Sequence, residues 1–213
     1  GGVLFRVDQH HLNPRLRGDI GDAGAHHPCP KDADPAYLLI GRAPAEDVAA
    51  YDPAVLARAS QLAEALVLSH QRGESLVSVV TDPELVVGGK PLTAITIVND
   101  NMPFLFDSVI GEISNTAGEP SFVVHPVITV RHDKKGISHI LPEGGRDEGA
   151  DRLSVIHIHV DALAEDDAAA LETRLNNVLL QVRAAVGDWK PMLERLDRAI
   201  AEYRRQPIAL DKR

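Results

Sequence analysis

The amino-acid sequence predicts an α+β fold, a two-layer sandwich in which a four-stranded, mainly antiparallel sheet carries helices on one face. Flanking helices are expected at both ends. From residue 75 onward, runs of β-branched residues and helical patterns follow the order β-β-α-β-β-α. Apolar residues make up 44% of the chain and aromatic residues only 4%, so the core must be built mainly from Val, Ile, Leu and Ala.

The first 73 residues are predicted to precede the sandwich. Residues 1–36 mix Gly, Pro, His, Asp and Arg without a sustained period, which indicates a loose leader. Residues 37–73 are predicted to form a helical extension, with a short helix around Ala45 to Ala50 and a longer one after it. Asp52 can cap the longer helix, and Pro53 suits its first position. Its apolar stripe consists of Val55, Ala59, Leu62 and Leu66.

The first three strands of the sandwich are predicted from β-branched runs. Ser75–Thr81 and Leu92–Val98 are separated by a turn at Gly88 and Gly89, so we expect them to pair as a hairpin. The run Phe122–Val130 is apolar on both faces, as in a central strand. Pro126 removes one hydrogen-bond donor from it and requires a bulge or an unpaired position.

Two later segments are also predicted to be extended. Ile137–Leu141 can form a hairpin with the strand before it. Leu153–Val160 follows a polar, glycine-rich loop and alternates in character. On that strand Ile156, Ile158 and Val160 are predicted to face the helices, and Val155, His157 and His159 to face away from them.

Three helices are predicted from apolar residues spaced three and four positions apart. The first runs from Pro103 to about Ala117. The other two close the chain, from Glu165 to Val186 and from Asp188 to Arg205, with Gly187 between them. Together with the strands, they place the α/β domain at residues 74–187.

Charge and cysteine usage exclude several partners. The formal net charge of −9 argues against nucleic acid and anionic membrane surfaces. No stretch approaches the roughly 18 uncharged apolar residues of a membrane-spanning helix, and no signal-peptide pattern is present. Cys29 is the only cysteine, so an internal disulfide and a thiolate metal cluster are excluded. We expect a soluble protein of the cytoplasm.

A known family is suggested by three segments in order. Ile97–Val109 (IVNDNMPFLFDSV) resembles the strand-to-helix turn near the N-terminus of the large-subunit class of NAD-dependent glutamate dehydrogenases. Arg42–Pro53 (RAPAEDVAAYDP) and Val123–Arg131 (VVHPVITVR) are also similar to that family. The similarity covers about Leu38 to Arg205, most of the chain.

The resemblance implies that residues 74–187 form an ACT-like (ferredoxin-like) domain, and that residues 188–213 are a helix and tail leading to downstream domains. ACT modules typically sense amino acids or mediate oligomer contacts. Their usual order is β-α-β-β-α-β, whereas here a strand comes first and a helix comes last. We expect Leu76–Thr81 to fill the vacant strand position, since unpaired edge groups would otherwise be exposed.

The function implied by the resemblance is that of a non-catalytic regulatory and oligomerisation segment of an NAD-dependent glutamate dehydrogenase. Its parent would oxidise L-glutamate to 2-oxoglutarate and ammonia with NAD⁺. The chain has no G-x-G-x-x-G between a strand and a helix, so NAD is expected in the parent and no cofactor in this segment. The implied partners are other domains and subunits of a homo-oligomer, and an amino-acid effector.

One candidate ligand site lies at the turn before the helix at Pro103, where ACT modules approach ligands. Free backbone amides at the start of that helix would suit a carboxylate. Alternatively, the polar side chains cap the helix and the proline is favoured there for steric reasons. Ligand-binding ACT modules often have glycine where this chain has Phe104. The candidate ligand-binding residues are Asn99, Asp100, Asn101, Met102 and Pro103.

A second candidate site consists of histidines. His157 and His159 are predicted to point the same way from one strand, and His125 or His139 could lie on a neighbouring strand, so a Zn²⁺ site is a candidate. A hydrogen-bonded or pH-responsive interface histidine is the alternative. Two other functions are therefore kept beside the regulatory segment. They are a stand-alone amino-acid-sensing ACT module and a metal-dependent hydrolase that uses the histidine-rich face.

Overall fold

The computed structural model describes residues 43–134, 136–141 and 148–205, with the side chain of residue 190 left out. The predicted leader at residues 1–36 lies outside the described residues. The helices are α1 (Ala45–Ala49), α2 (Pro53–Ser69), α3 (Leu105–Thr116) and α4 (Glu165–Arg205). The strands are β1 (Ser75–Val87), β2 (Lys90–Asp100), β3 (Phe122–Val124), β4 (Val127–Asp133), β5 (Gly136–Leu141) and β6 (Asp151–Asp161).

In the described part of the chain, six strands form one antiparallel sheet. Its order is β1-β2-β6-β4-β5, and β3 pairs with β6 beyond the end of β4. The prediction of four strands was wrong, because Pro126 divides one predicted strand into β3 and β4, and because β5 pairs with β4. The unpaired position expected at Pro126 is confirmed. Its carbonyl still accepts a hydrogen bond from the Val155 N–H at 2.9 Å.

The first two strands form the predicted hairpin. Ser75 lies opposite Asn99 at the open end of the hairpin, and Val87 lies opposite Lys90 next to the turn. Gly88 and Gly89 both have positive φ angles, which glycine adopts without a steric penalty. The segment expected to fill a vacant strand position, Leu76–Thr81, therefore lies on β1 at the edge of the sheet beside β2.

Helices cover both faces of the sheet. The two helices predicted to share one face, α3 and α4, do so, and the covering of the other face by α2 was not predicted. α2 packs on the face formed by Ala94, Val98 and Val155, while α3 and α4 pack on the face formed by Ile95 and Ile156. The reason is that β2 and β6 are buried at both odd and even positions along most of their length. Both faces of the sheet therefore need an apolar packing partner, and the apolar stripe of α2 packs on the face that α3 and α4 leave open.

The ends of α2 and α4 follow from local chemistry. The Asp52 carboxylate accepts a hydrogen bond of 2.8 Å from the Ala54 N–H, which confirms the predicted cap. The two helices predicted to close the chain are one helix of 41 residues. Gly187 is compatible with a helix at a cost of about 1 kcal/mol relative to Ala, and Pro191 removes one donor without ending the helix here. Among the described helices, none combines the length and apolarity of a membrane span.

Candidate functional site

The predicted ligand-binding turn follows the end of β2 and is tied to α4 by Arg183. The Arg183 guanidinium donates hydrogen bonds to the Asp100 carboxylate at 3.0 Å and to the Asn99 carboxamide oxygen at 2.9 Å. A further bond of 3.2 Å reaches the Ser75 hydroxyl, which itself donates to Asn99. Asn99 is 1% exposed, so its side chain holds the turn together from inside. Arg183 and Asp100 keep about a third of their side chains exposed.

Asn101 connects the same turn to β6. Its N–H donates to the Arg152 carbonyl at 2.9 Å, and its side-chain oxygen accepts from the Ser154 hydroxyl at 3.0 Å. Ser154 in turn lies 3.1 Å from the His125 ring nitrogen Nε2. The His125 ring stacks on Phe106 of α3 with the ring centroids 4.7 Å apart. Burial lowers the pKa of His125, so its neutral form is favoured.

The start of α3 differs from the capping interpretation of the turn. The helix begins at Leu105, two residues after the predicted start at Pro103, and no side chain caps it. The expectation of a polar side-chain cap was wrong because the polar side chains of the turn contact Arg183 and β6 instead. The residue before the helix is Phe104, whose φ of +65° is the left-handed conformation that glycine adopts readily. Met102 packs partly into the core beneath α3 and α4.

Phe104 therefore keeps a glycine-like backbone conformation while carrying a large side chain. It is the one non-glycine residue with positive φ in the part of the chain that the structure describes. Its side chain is 62% exposed, so core packing does not explain the conformation. Backbone strain at an exposed turn is typical of positions under functional constraint. Chemically, the turn offers an exposed carboxylate and guanidinium beside helix amides that no side chain caps.

The candidate metal residues His157 and His159 form a buried hydrogen-bonded chain under α2. The Thr96 hydroxyl lies 2.9 Å from His157 Nδ1, and the Nε2 atoms of the two histidines are 2.9 Å apart. His159 Nδ1 lies 3.2 Å from the Tyr51 hydroxyl. Burial lowers the pKa of His159 to about 4, and burial with the neighbouring His159 lowers that of His157 well below its ordinary value. Both rings are therefore neutral at neutral pH.

The other candidate metal residues lie elsewhere. His125 contacts α3 on the opposite face of the sheet, and the exposed His139 lies on β5 with its ring 3.3 Å from Ser138. Within residues 43–134, 136–141 and 148–205, no three His, Cys, Asp or Glu side chains are grouped as a metal site would require. The nitrogens Nε2 of His157 and His159 instead contact each other. As predicted, the strand turns these histidines away from α3 and α4. Tyr51 and Phe122 pack against His159 on that other face, which α2 also covers.

Sequence reasoning missed the residues that connect these sites. Arg183 lies 83 residues from Asp100, and Tyr51 lies 108 residues from His159, so no local spacing indicates either contact. A weak signal existed for Tyr51, since it directly precedes the helix cap Asp52 and carries a polar group on an aromatic ring. No comparable signal marks Arg183, which resembles other charged residues on the same helix.

Comparison with known proteins gives consistent matches. The family described as "Glutamate dehydrogenase, ACT1 domain" matches residues 36–175. The NAD-specific glutamate dehydrogenase of Pseudomonas aeruginosa is 31% identical over 102 residues, which is 47% of this chain and 6% of that protein. That of Halomonas elongata is 32% identical over 113 residues, 52% of this chain and 7% of that protein. The chain thus matches less than a tenth of the length of these relatives. No solved structure matches it.

Proposed function

The chain belongs to the glutamate dehydrogenase ACT1 domain family, and on that premise we propose that it is a non-catalytic regulatory and assembly segment of an NAD-dependent glutamate dehydrogenase. The parent would oxidise L-glutamate to 2-oxoglutarate and ammonia and would bind NAD in other domains. The names of the two relatives support this parent activity. The partners in this proposal are the other domains and subunits of that enzyme.

The observation that carries the assembly role is the second half of α4. The first half packs on the sheet through buried residues such as Leu175 and Leu179. From Gly187 to Arg205, every residue whose side chain is described is exposed. At about 1.5 Å per residue, this part of the helix is roughly 28 Å long.

The exposed half still carries an apolar stripe. Its members, which we call the α4 stripe, are 41–66% exposed. They continue the three- and four-residue spacing by which the first half packs on the sheet. An apolar surface of this kind marks a protein contact, because soluble proteins rarely leave one uncovered. The α4 stripe consists of Trp189, Met192, Leu193, Leu196, Ile200 and Tyr203.

The test is made in the full enzyme that contains this segment. The double variant Leu196→Ser and Ile200→Ser removes the centre of the α4 stripe. Leu180→Ser is the matched control, since Leu180 is 66% exposed on the same helix but lies off the stripe. We expect the double variant to dissociate or to lose thermal stability, with altered glutamate-dependent NADH formation, and the control to behave as wild type. Unchanged mass, stability and rate in the double variant would exclude the assembly role.

A second candidate function is amino-acid sensing at the turn after β2. Arg183 and Asp100 present both signs of charge 3.0 Å apart, and each keeps about a third of its side chain exposed. A free amino acid carries a carboxylate for the guanidinium and an ammonium group for the carboxylate. The uncapped amides at the start of α3 add further donors for an anion. In this proposal the effector replaces the internal ion pair and shifts the parent between conformations.

Thermal unfolding with a panel of amino acids and 2-oxoglutarate tests the sensing function, because a ligand that binds only the folded state raises the unfolding temperature. We expect one amino acid to raise it in the wild type and in Arg174→Gln, a variant of an exposed arginine on the same helix. Arg183→Gln and Asp100→Asn are expected to abolish the increase. No increase with any compound would exclude an effector site at this turn.

A further inference from the structure

A second pair of histidines connects the end of α2 to the sheet. His70 directly follows α2, His132 lies on β4, and Asp151 begins β6. His70 Nδ1 is 3.1 Å from His132 Nε2, and His132 Nδ1 is 2.9 Å from the Asp151 carboxylate. At the other end, His70 Nε2 is 3.1 Å from the Glu74 carbonyl oxygen. His70 is fully buried and the His132 side chain is 6% exposed.

The two ends of this chain determine how many protons it holds. A carboxylate and a main-chain carbonyl accept hydrogen bonds and donate none. Three hydrogen bonds link Asp151, His132, His70 and Glu74, so three N–H groups are needed on the two rings. Two neutral imidazoles carry two. The chain is complete only when one ring is an imidazolium.

The buried pair His157 and His159, in contrast, needs no extra proton to complete its hydrogen bonds. That chain also has three links, from Thr96 through both rings to Tyr51. Its two ends are hydroxyl groups, which can both donate and accept. One of the two hydroxyls donates the bond at its end, and the two neutral rings donate the remaining two bonds. Two neutral histidines therefore satisfy that chain without an added proton.

We propose that His70 and His132 hold one extra proton and act as a pH-sensitive latch between the end of α2 and the β4–β6 edge of the sheet. The charge resides on His132, which contacts the Asp151 carboxylate. The Asp151 carboxylate is shared with Arg72, whose Nε donates to it at 2.8 Å. The carboxylates that act on His70 are those of Glu74 and Asp100.

The placement of the charge is supported by the surroundings of the two rings. Burial lowers the pKa of His70, with the neighbouring His132 acting in the same direction, so His70 is the less favourable site for the proton. When the proton leaves, the facing nitrogens of His70 and His132 have one hydrogen too few for the chain. One link is then lost, and the end of α2 is held less firmly.

The surrounding backbone is packed closely enough for this loss to matter. Gly136, the first residue of β5, has a φ of +132°, and a Cβ there would lie 2.9 Å from the Leu68 carbonyl oxygen. The end of α2 therefore contacts the start of β5 directly. Because α2 covers one face of the sheet, losing the hydrogen bond between His70 and His132 weakens the attachment of α2 to that face.

The test is ¹⁵N-detected NMR of the histidine rings in this protein, at pH 5.5 and pH 8.5. At pH 5.5 we expect His132 to be protonated on both nitrogens and His70 to be neutral with its proton on Nε2. At pH 8.5 His132 should be neutral. Exchange of the His70 amide, which donates to Val67, should then be roughly tenfold faster after correction for intrinsic rates, as for one lost hydrogen bond.

Asp151→Asn provides the decisive variant, because an amide can donate to His132 and lets two neutral rings complete the chain. We expect no imidazolium at pH 5.5 in this variant and no pH-dependent change in exchange. Arg72→Gln is the control, since it removes the other partner of Asp151 and should leave the imidazolium in place. Two neutral rings in the wild type at pH 5.5 would overturn the proposal by themselves. So would an imidazolium that persists in Asp151→Asn.

Discussion

The Nε2 atoms of His157 and His159 lie 2.9 Å apart in the interior of the protein, and neither side chain is exposed to solvent. One ring must donate to the other, because two unprotonated nitrogens would repel each other at this distance. Burial lowers the pKa of both rings, that of His159 to about 4. Protonation would place a charge where none of the described carboxylates is bonded to either ring. The pair is therefore stable only in its neutral form.

The stability of the fold should depend on pH through this pair. An unfolded histidine has a pKa of about 6.5, so the unfolded state binds more protons than the folded state between about pH 6.5 and pH 4. The free energy of unfolding should therefore fall as the pH is lowered through this range, by about 3 kcal/mol for His159 alone. Urea denaturation from pH 7 to pH 4.5 measures the change. His159→Gln should weaken the dependence, and an unchanged slope would contradict this origin.

Tyr51 closes the same buried hydrogen-bonded chain, and Tyr51→Phe should destabilise the protein by about 1–3 kcal/mol, as expected when a buried ring nitrogen loses its hydrogen-bond partner. The phenylalanine ring keeps the contact with Phe122, whose centroid lies 5.1 Å away, so packing is largely preserved. Ser121→Ala is the control, because the Ser121 hydroxyl is 3.4 Å from Tyr51 at the exposed end of the chain. Denaturant midpoints should separate the two variants. Equal effects would show that His159 does not depend on Tyr51.

The strained residue Phe104 leads to a different expectation. The left-handed conformation costs a non-glycine residue roughly 1–2 kcal/mol, whereas glycine loses about 0.5–1 kcal/mol in chain entropy. Phe104→Gly should therefore raise the free energy of unfolding by up to about 1.5 kcal/mol. Phe104→Ala removes the same exposed ring but retains the strain, so no increase is expected. If the glycine variant unfolds more easily than wild type, the ring contributes more than the strain costs.

The fold was predictable from the sequence where the signal is local. The cap at Asp52, the hairpin turn at Gly88 and Gly89, and the interruption at Pro126 each depend on the chemistry of a few neighbouring residues. The second covered face was not predicted, because it requires knowing that α2 folds back onto the sheet. The continuity of α4 was missed because Gly187 is unfavourable in a helix by only about 1 kcal/mol, which the rest of the helix can offset.

The candidate sites were only partly predictable for a related reason. The turn from Asn99 to Pro103 was found through a resemblance, and His157 and His159 through their alternation on a strand. Their partners Arg183 and Tyr51 come from distant parts of the chain. The His70 and His132 pair was missed as well, since 62 residues separate the two rings. Hydrogen bonds between distant segments have no periodic signature in the sequence.

Gly136 should not tolerate a side chain. A Cβ at this position would lie 2.9 Å from the Leu68 carbonyl oxygen, and its φ of +132° is strained for any other residue. We expect Gly136→Ala to destabilise the protein by about 1–3 kcal/mol, the range for strained backbone positions. Gly118→Ala also has a positive φ but meets no atom within 4 Å, so it measures the backbone penalty alone. An equal loss in both variants would exclude the contact with α2.

The exposed half of α4 should respond to substitution without affecting the rest of the fold. Pro191 lacks the N–H that would bond the Gly187 carbonyl, so Pro191→Ala should increase helicity locally. Because residues from Gly187 onward are exposed and the core ends near Val186, the main unfolding transition should shift by less than about 0.5 kcal/mol. Slower amide exchange confined to residues 187–205, with an unchanged denaturant midpoint, is the expected result. A large shift of the midpoint would mean that this half of the helix folds together with the core.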